Sequence, residues 1–254
     1  MSHNYVPEMT NSGLSPTQKV LVRDEYRNKR ELYIAEERPL TIYIDSFEII
    51  TLMTLGTRPE LLSLGYVKNQ DLITKLQEIK SIQVDWSVNA AVITTTNKRD
   101  DWADRLGTRI VTTGCGQGTI FNNVLEQLDS LKILQKEIKQ STIYALIKNL
   151  NAYNDVYKSA GAVHGCSLCK GSEPLIFIED VGRHNAVDAI AGKMWLENIS
   201  GKDKIFYTTG RLTSEMIIKV AQMKIPTLLS RSGITHMGLE LAKQLNITLL
   251  SRVK

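Results

Sequence analysis

Pro174-Leu175-Ile176-Phe177-Ile178-Glu179-Asp180-Val181-Gly182-Arg183-His184-Asn185-Ala186-Val187-Asp188 is the stretch from which the fold class can be read. Its first five residues form an apolar run with β-forming side chains, the signature of a buried strand. From Ala186 the period changes, with Ala186, Val187, Ile190, Ala191 and Met194 recurring at helical spacing. Two acids, a glycine, an arginine and a histidine therefore fall at the carboxyl end of a strand where a helix begins. In open α/β sheets that crevice binds ligands, and a helix N-terminus there favours anions. The same residues also suit a plain strand-to-helix turn with Asp180 as its cap, and spacing alone leaves both open.

Toward the C-terminus the alternation continues. The pattern predicts strand 174–178, helix 184–197, strand 204–208, helix 213–223, strand 226–230, helix 234–245 and strand 247–250. That is the rhythm of a mostly parallel sheet covered by helices. Three strand ends carry polar loops: Glu179 to His184, Thr209-Gly210-Arg211-Leu212-Thr213-Ser214, and Ser230-Arg231-Ser232-Gly233-Ile234-Thr235. Each sets an arginine beside hydroxyls or glycine at a helix start, which suggests a phosphate- or nucleotide-binding rim. Surface arginines bonded to carbonyls are the plainer alternative.

Toward the N-terminus, two segments of small residues precede the strand. Gly161-Ala162-Val163-His164-Gly165-Cys166-Ser167-Leu168-Cys169 offers His and a C-x-x-C pair as soft zinc ligands, as two buried thiols, or as accessory thiols. A zinc deaminase would also need an H-x-E motif and a proline before the pair, and both are missing. Gly114-Cys115-Gly116-Gln117-Gly118 surrounds a thiol with residues of little bulk and much backbone freedom, able to swing it or to admit a ligand closely. An inert thiol in a glycine turn is the plainer reading of these residues by themselves. Helical patterns cover 124–134 and 142–156. Farther back, Leu32–Ala35, Leu40–Ile44 and Phe47–Thr54 read as a strand meander with a turn at Asp45-Ser46. A short helix starts at Pro59 and is expected to stop at Gly65. A second opens at Asn69 with Leu72, Ile73, Leu76 and Ile79 on one face. Ile82–Val88 and Ala91–Thr95 read as strands, and residues 1 to about 18 as a disordered or draped tail.

Composition sets the class. The chain has 254 residues, 43% hydrophobic and 23% charged, with a net charge of +4. These are the proportions of an ordinary globular protein, with no basic stripe for nucleic acid and no apolar run near the ~18 residues of a membrane span. Three cysteines and no apolar leader point to a reducing cytoplasm.

Taken in order, the motifs resemble those of the formate dehydrogenase accessory sulfurtransferases, the FdhD proteins. The resemblance runs from Glu37 to Leu250. It is carried by Arg38-Pro39-Leu40-Thr41-Ile42, Leu52-Met53, Leu64-Gly65-Tyr66, Gly114-Cys115-Gly116 and Gly161-Ala162-Val163-His164. It continues through Glu179 to Asp188, Gly210-Arg211-Leu212-Thr213-Ser214-Glu215, Ile225-Pro226 and Ser230-Arg231-Ser232. The resemblance implies an α/β chain with a cytidine-deaminase-like three-layer α/β/α sheet domain (111–254), a smaller β-rich part (32–110) and an N-terminal tail (1–31). It implies a cytoplasmic homodimer that accepts sulfur from a cysteine desulfurase as a persulfide on Cys115. The sulfur then passes to the molybdenum or tungsten bis-pyranopterin guanine dinucleotide cofactor of formate dehydrogenase, bound as a client and with no metal of the carrier's own. Arg183, His184, Gly210, Arg211, Ser214, Ser230, Arg231, Thr235 and Arg252 would hold the guanine nucleotide ends. A non-catalytic chaperone for the cofactor or its nucleotide is the alternative of a different class. Two features depart from the family pattern: Gly118 stands where many members have a second cysteine, and the chain ends at Lys254 where they continue into an aromatic- and arginine-containing tail.

Overall fold

The structure, a computed structural model, describes residues 5–99, 101–102 and 133–254. Strands β1 (Glu8–Met9), β4 (Arg38–Ile44), β5 (Phe47–Thr54), β6 (Ile79–Asp85) and β7 (Ala90–Thr95) form one sheet in the order β1-β6-β7-β4-β5. Leu40, Ile42 and Ile44 alternate into its core, and the β4–β5 hairpin turns at Asp45, whose φ is 53°. The N-terminal stretch is draped along this sheet, with Ser12 N–H donating to Glu60 Oε1 at 2.7 Å and the Trp86 indole to Ser12 O at 2.6 Å. Among the described residues, strands β2 (Thr17–Arg23) and β3 (Lys29–Ala35) pair only with each other.

The second sheet holds β8 (His164–Lys170), β9 (Glu173–Asp180), β10 (Ile205–Thr208), β11 (Thr227–Ser230) and β12 (Thr248–Leu250), in the order β12-β11-β10-β8-β9. Its last three strands in the chain run parallel, as the alternating pattern predicts. The segment around Cys166, legible only as a run of small residues, is instead a buried strand antiparallel to both β9 and β10. The sheet is therefore mixed, and the connection from β9 to β10 passes over β8. Helices α4 (Arg183–Leu196), α5 (Ser214–Gln222) and α6 (His236–Gln244) arise close to the expected bounds. The expected helix 142–156 is split into α2 (Gln140–Leu150) and α3 (Asp155–Ala160). The expectation for 124–134 lies outside the described residues up to 132. α2 lays Ile143, Leu146 and Leu150 against Cys169, Ile205, Tyr207 and Leu229 on one face of the sheet. On the other face, α4 and α5 join a core continuous with the first sheet.

Two glycines join the halves. Helix α1 (Pro59–Asn69) does not stop at Gly65 but runs past it, because α4 crosses there at backbone contact. A Cβ on Gly65 would sit 1.6 Å from the Asp188 carbonyl oxygen, and one on Gly192 2.1 Å from that of Leu61. The glycine is thus kept for close packing rather than for ending the helix. The expected second helix from Asn69 is also absent. The chain turns at Asp71, with φ 53°, and Leu72 and Ile73 donate back to Val67 O. A single 3₁₀ turn (Leu76–Glu78) leads into β6. The helical spacing misled here because Leu72, Ile73, Leu76 and Ile79 reach the core equally well from a turn followed by a strand. Among the described residues, no helix is long and apolar enough to cross a membrane.

Candidate functional site

Almost every polar side chain between Glu179 and Asp188 is spent on holding another element. Glu179 accepts from the Val156 and Tyr157 amides, both at 2.9 Å, and so caps the first turn of α3. Asp180 ends β9 buried and gathers four donors. They are Thr54 Oγ1 at 2.5 Å, Leu55 N at 3.2 Å, Gly182 N at 3.1 Å and Asn185 Nδ2 at 2.8 Å. Burial pushes its carboxyl above the ordinary range, and the four hydrogen bonds oppose that shift. Asn185 also donates to Met53 O at 2.7 Å, so the end of β5 is fastened twice to the β9–α4 turn. Asp180 is therefore a clamp between sheets and not the helix cap that the turn chemistry suggested: the N-cap of α4 is Gly182, and no side chain caps the helix.

One turn farther along α4, Asp188 is fully buried. It accepts from Asn69 Nδ2 and from Lys219 Nζ, each at 2.7 Å, tying α1, α4 and α5 together. His184 faces the same interior, its Nε2 3.1 Å from Glu215 Oε2 in the first turn of α5. Burial is the main cause that holds His184 below the usual histidine range, and Lys219 and Arg183 add to it. It points into the fold rather than outward from the rim.

The remaining expected residues do assemble at the carboxyl ends of β9, β10 and β11. Arg183 opens α4, and its side chain lies along Gly210, where a Cβ would meet Arg183 Cδ at 2.6 Å. Gly210 is thus required by the arginine's path. Ser230 Oγ donates to Gly210 O at 2.6 Å and accepts from Ser232 N at 2.9 Å. Arg231 N donates to Thr208 O at 3.2 Å, Thr235 N to Leu212 O at 3.0 Å and Arg252 N to Ser232 O at 3.0 Å. Thr235 caps α6 by accepting from Gly238 N at 3.2 Å, and Ser214 begins α5. The loops after the strands are thereby laced into one rim, with Arg211 exposed on it. Arg231 leaves from the other face of the sheet, beside the Tyr207 hydroxyl, whose pKa burial pushes up to about 12. The three arginines thus have different surroundings: Arg183 lies along Gly210, Arg211 is exposed and Arg231 is beside Tyr207.

His164, at the start of β8, has Nδ1 3.4 Å from Thr209 Oγ1. Its pKa is lowered first by burial and then by the charges of Arg183, His184 and Arg211, which marks the rim as electropositive. Cys166 and Cys169 are both buried, and burial pushes each thiol up to about 12. Three residues apart on a strand, they belong to different cores on opposite faces of the sheet. They cannot ligate one metal ion, and the zinc reading of this segment fails on that geometry. Such thiols are also poor nucleophiles at neutral pH. Cys115, with Gly114, Gly116 and Gly118, lies outside the described residues.

Sequence reasoning missed Glu215, Lys219, Asn69 and Thr54 as supports of this site. Glu215 stood inside a quoted motif, but nothing local marks Asn69 as the partner of Asp188.

Comparison with known proteins bears on the whole arrangement. The model of a family described as the FdhD/NarQ family matches residues 35–254. A sulfur carrier protein FdhD of Bacillus pumilus (strain SAFR-032) is 30% identical over 223 residues, spanning 87% of this chain and 85% of its own. That of Bacillus subtilis (strain 168) is 28% identical over 241 residues, 92% of each. Among solved structures, a protein assigned as a formate dehydrogenase accessory protein from Desulfotalea psychrophila superposes with a TM-score of 0.72. It has 27% sequence identity and covers 94% of this chain and 92% of its own.

Proposed function

The chain belongs to the FdhD/NarQ family, and from that premise we propose that it is a sulfur carrier serving formate dehydrogenase. In this reading Cys115 attacks, as a thiolate, the terminal sulfur of a cysteine desulfurase persulfide. The S–S bond of the donor breaks, its cysteine leaves as a thiolate, and Cys115 becomes the persulfide. The client substrate is the molybdenum or tungsten bis-pyranopterin guanine dinucleotide cofactor, whose guanine nucleotide ends carry phosphates. Arg183, Gly210, Arg211, Ser214, Ser230, Arg231, Thr235 and Arg252 offer guanidinium groups, hydroxyls and loop amides for those phosphates. His184, turned inward onto Glu215 in the first turn of α5, braces the α4–α5 junction beneath the rim. The same reading takes the second sheet as the centre of a cytidine-deaminase-like α/β/α domain (111–254), preceded by a β-rich part (32–110) and a tail (1–31), and the working unit as a cytoplasmic homodimer.

The observation that supports this most is the rim itself: strand-end loops laced by backbone bonds around Arg183 and Gly210, in a chain that aligns with sulfur carriers over nearly its full length. Cys166 and Cys169, sealed in the cores, leave Cys115 as the thiol for the task. The test is to incubate the protein with a cysteine desulfurase and cysteine, then label persulfides. Wild type should label and Cys115→Ala should not; undiminished labelling rejects the carrier role of Cys115. A non-catalytic chaperone would bind guanine nucleotide while accepting no sulfur, so GDP binding measured alongside separates the two readings.

A further inference from the structure

At the amino ends of β10 and β11, away from the rim, lies a cavity of about 420 Å³, within the usual range for small-molecule sites. Among the described residues, Lys136, Lys139, Lys170 and Lys204 line it against two carboxylates, Glu137 and Asp203. Asp203 serves two of the ammonium groups at once, pairing with Lys204 and lying 3.4 Å from Lys170 Nζ. Lys204, followed by Lys170, holds its carboxyl below the usual range. Lys136 and Lys139 have no ion-pair partner among the described residues. Lys204 itself is 8% exposed. A buried ammonium is costly unless anions surround it, and one shared carboxylate at the surface is meagre company. The rest of the wall is largely apolar, from Ile138, Ile205 and Pro226.

From this arrangement we infer that the cavity is a second anion site, which takes a phosphate monoester carried on a small apolar body. Among the described residues the wall has no guanidinium fork of the kind that matches a planar carboxylate in two parallel bonds. Lys170 and Lys204 meet at Asp203, and ammonium groups act as point charges that suit a compact dianion with several oxygens. The apolar wall suits the body that bears it. No residue expected at the rim lines this cavity, so the inference stands or falls independently of the sulfur-carrier reading.

Titration calorimetry on the full chain tests it, with phenyl phosphate, inorganic phosphate and benzoate as probes. Carrying Arg211→Ala and Arg231→Ala in every sample lessens the rim's share of the signal, and the lysine substitutions below report the cavity alone. Phenyl phosphate should bind most tightly, with inorganic phosphate and benzoate each weaker by about tenfold, the worth of one charged contact or of a modest apolar burial. Lys204→Met, which keeps the stem and removes the charge, should weaken phenyl phosphate by about tenfold or more. Should that variant fail to fold by circular dichroism, Lys136→Gln with Lys139→Gln at the surface should weaken it severalfold instead. Absence of phenyl phosphate binding at low-millimolar concentration, affinity unmoved by these substitutions, or benzoate binding as tightly would each overturn the assignment.

Discussion

Asp180→Ala should cost the folded state about 3 kcal/mol. The carboxylate gathers Thr54 Oγ1, Leu55 N, Gly182 N and Asn185 Nδ2 in a buried junction. After truncation Asn185 keeps the Met53 carbonyl as acceptor. The Leu55 and Gly182 amides and the Thr54 hydroxyl are left without one. A buried donor stripped of its acceptor costs about 1–3 kcal/mol, so three give roughly 3–9 kcal/mol before relaxation. Burial raises the carboxyl's pKa, so removing the group also returns part of its desolvation cost, which brings the sum to the lower end. Urea unfolding followed by circular dichroism reads this as a drop in midpoint at constant slope. Thr54→Val, which removes one of the donors, should lose about 1 kcal/mol, and the double variant should lose less than the two singles added. Asp180→Asn should recover only part of the loss, because its amide would face a donor on one side. A loss below about 1 kcal/mol for Asp180→Ala would show that the junction does not depend on this carboxylate.

Further outcomes are expected from the same interior. Lys219→Met leaves Asp188 buried without its cation and should cost about 3–5 kcal/mol in urea unfolding; adding Asp188→Leu should restore much of it, and no restoration would mean that packing rather than charge sets the loss. Burial holds His164 and His184 below the ordinary histidine range, so the folded state prefers them neutral while the unfolded chain takes up protons near pH 6.5. Their contribution is therefore full above that pH and lost as pH falls through it; His164→Gln with His184→Gln should flatten the fall of the urea midpoint between about pH 7.5 and 5.5, and an unchanged slope would reject the assignment. With both thiols pushed up to about 12, iodoacetamide at neutral pH should label Cys166 and Cys169 only after unfolding, as peptide mass spectrometry would show. Gly65→Ala places a methyl 1.6 Å from the Asp188 carbonyl oxygen and should destabilise by at least about 2 kcal/mol, since two backbones must part; a smaller change would mean that the helices slide freely.

Much of the second sheet was legible because local period and turn chemistry agree there. Strands 205–208 and 227–230 are wholly buried around Ile205, Phe206, Tyr207, Leu228 and Leu229, and the helices between them carry amphipathic or apolar stripes ended by polar loops. β8 was not legible. Gly165, Cys166, Ser167 and Cys169 carry weak strand propensity, and only insertion between β9 and β10 makes them one. Gly65 was misjudged for a related reason. A glycine in a helical pattern is locally a stop signal, and its use in a helix crossing depends on α4, more than a hundred residues away.

The site divides along the same line. Sequence placed Arg183, Gly210, Arg211, Ser214, Ser230, Arg231 and Thr235 at the ends of successive strands, and the fold brings their loops together because β10 and β11 lie side by side and parallel. The direction of each side chain came only with the tertiary structure. Strand alternation sends Arg231 to the face of Tyr207, helix α4 turns His184 onto Glu215, and Cys166 and Cys169 fall into separate cores. By itself, then, the sequence determined the alternation of strands and helices, the polar loops at the strand ends and the family motifs, all carried by neighbours along the chain. Which buried acid meets which donor, as Asp180 meets Thr54 and Asp188 meets Asn69, was decided by tertiary structure alone. Such pairs cross more than a hundred residues, and their energy arises only once packing has removed water from both partners.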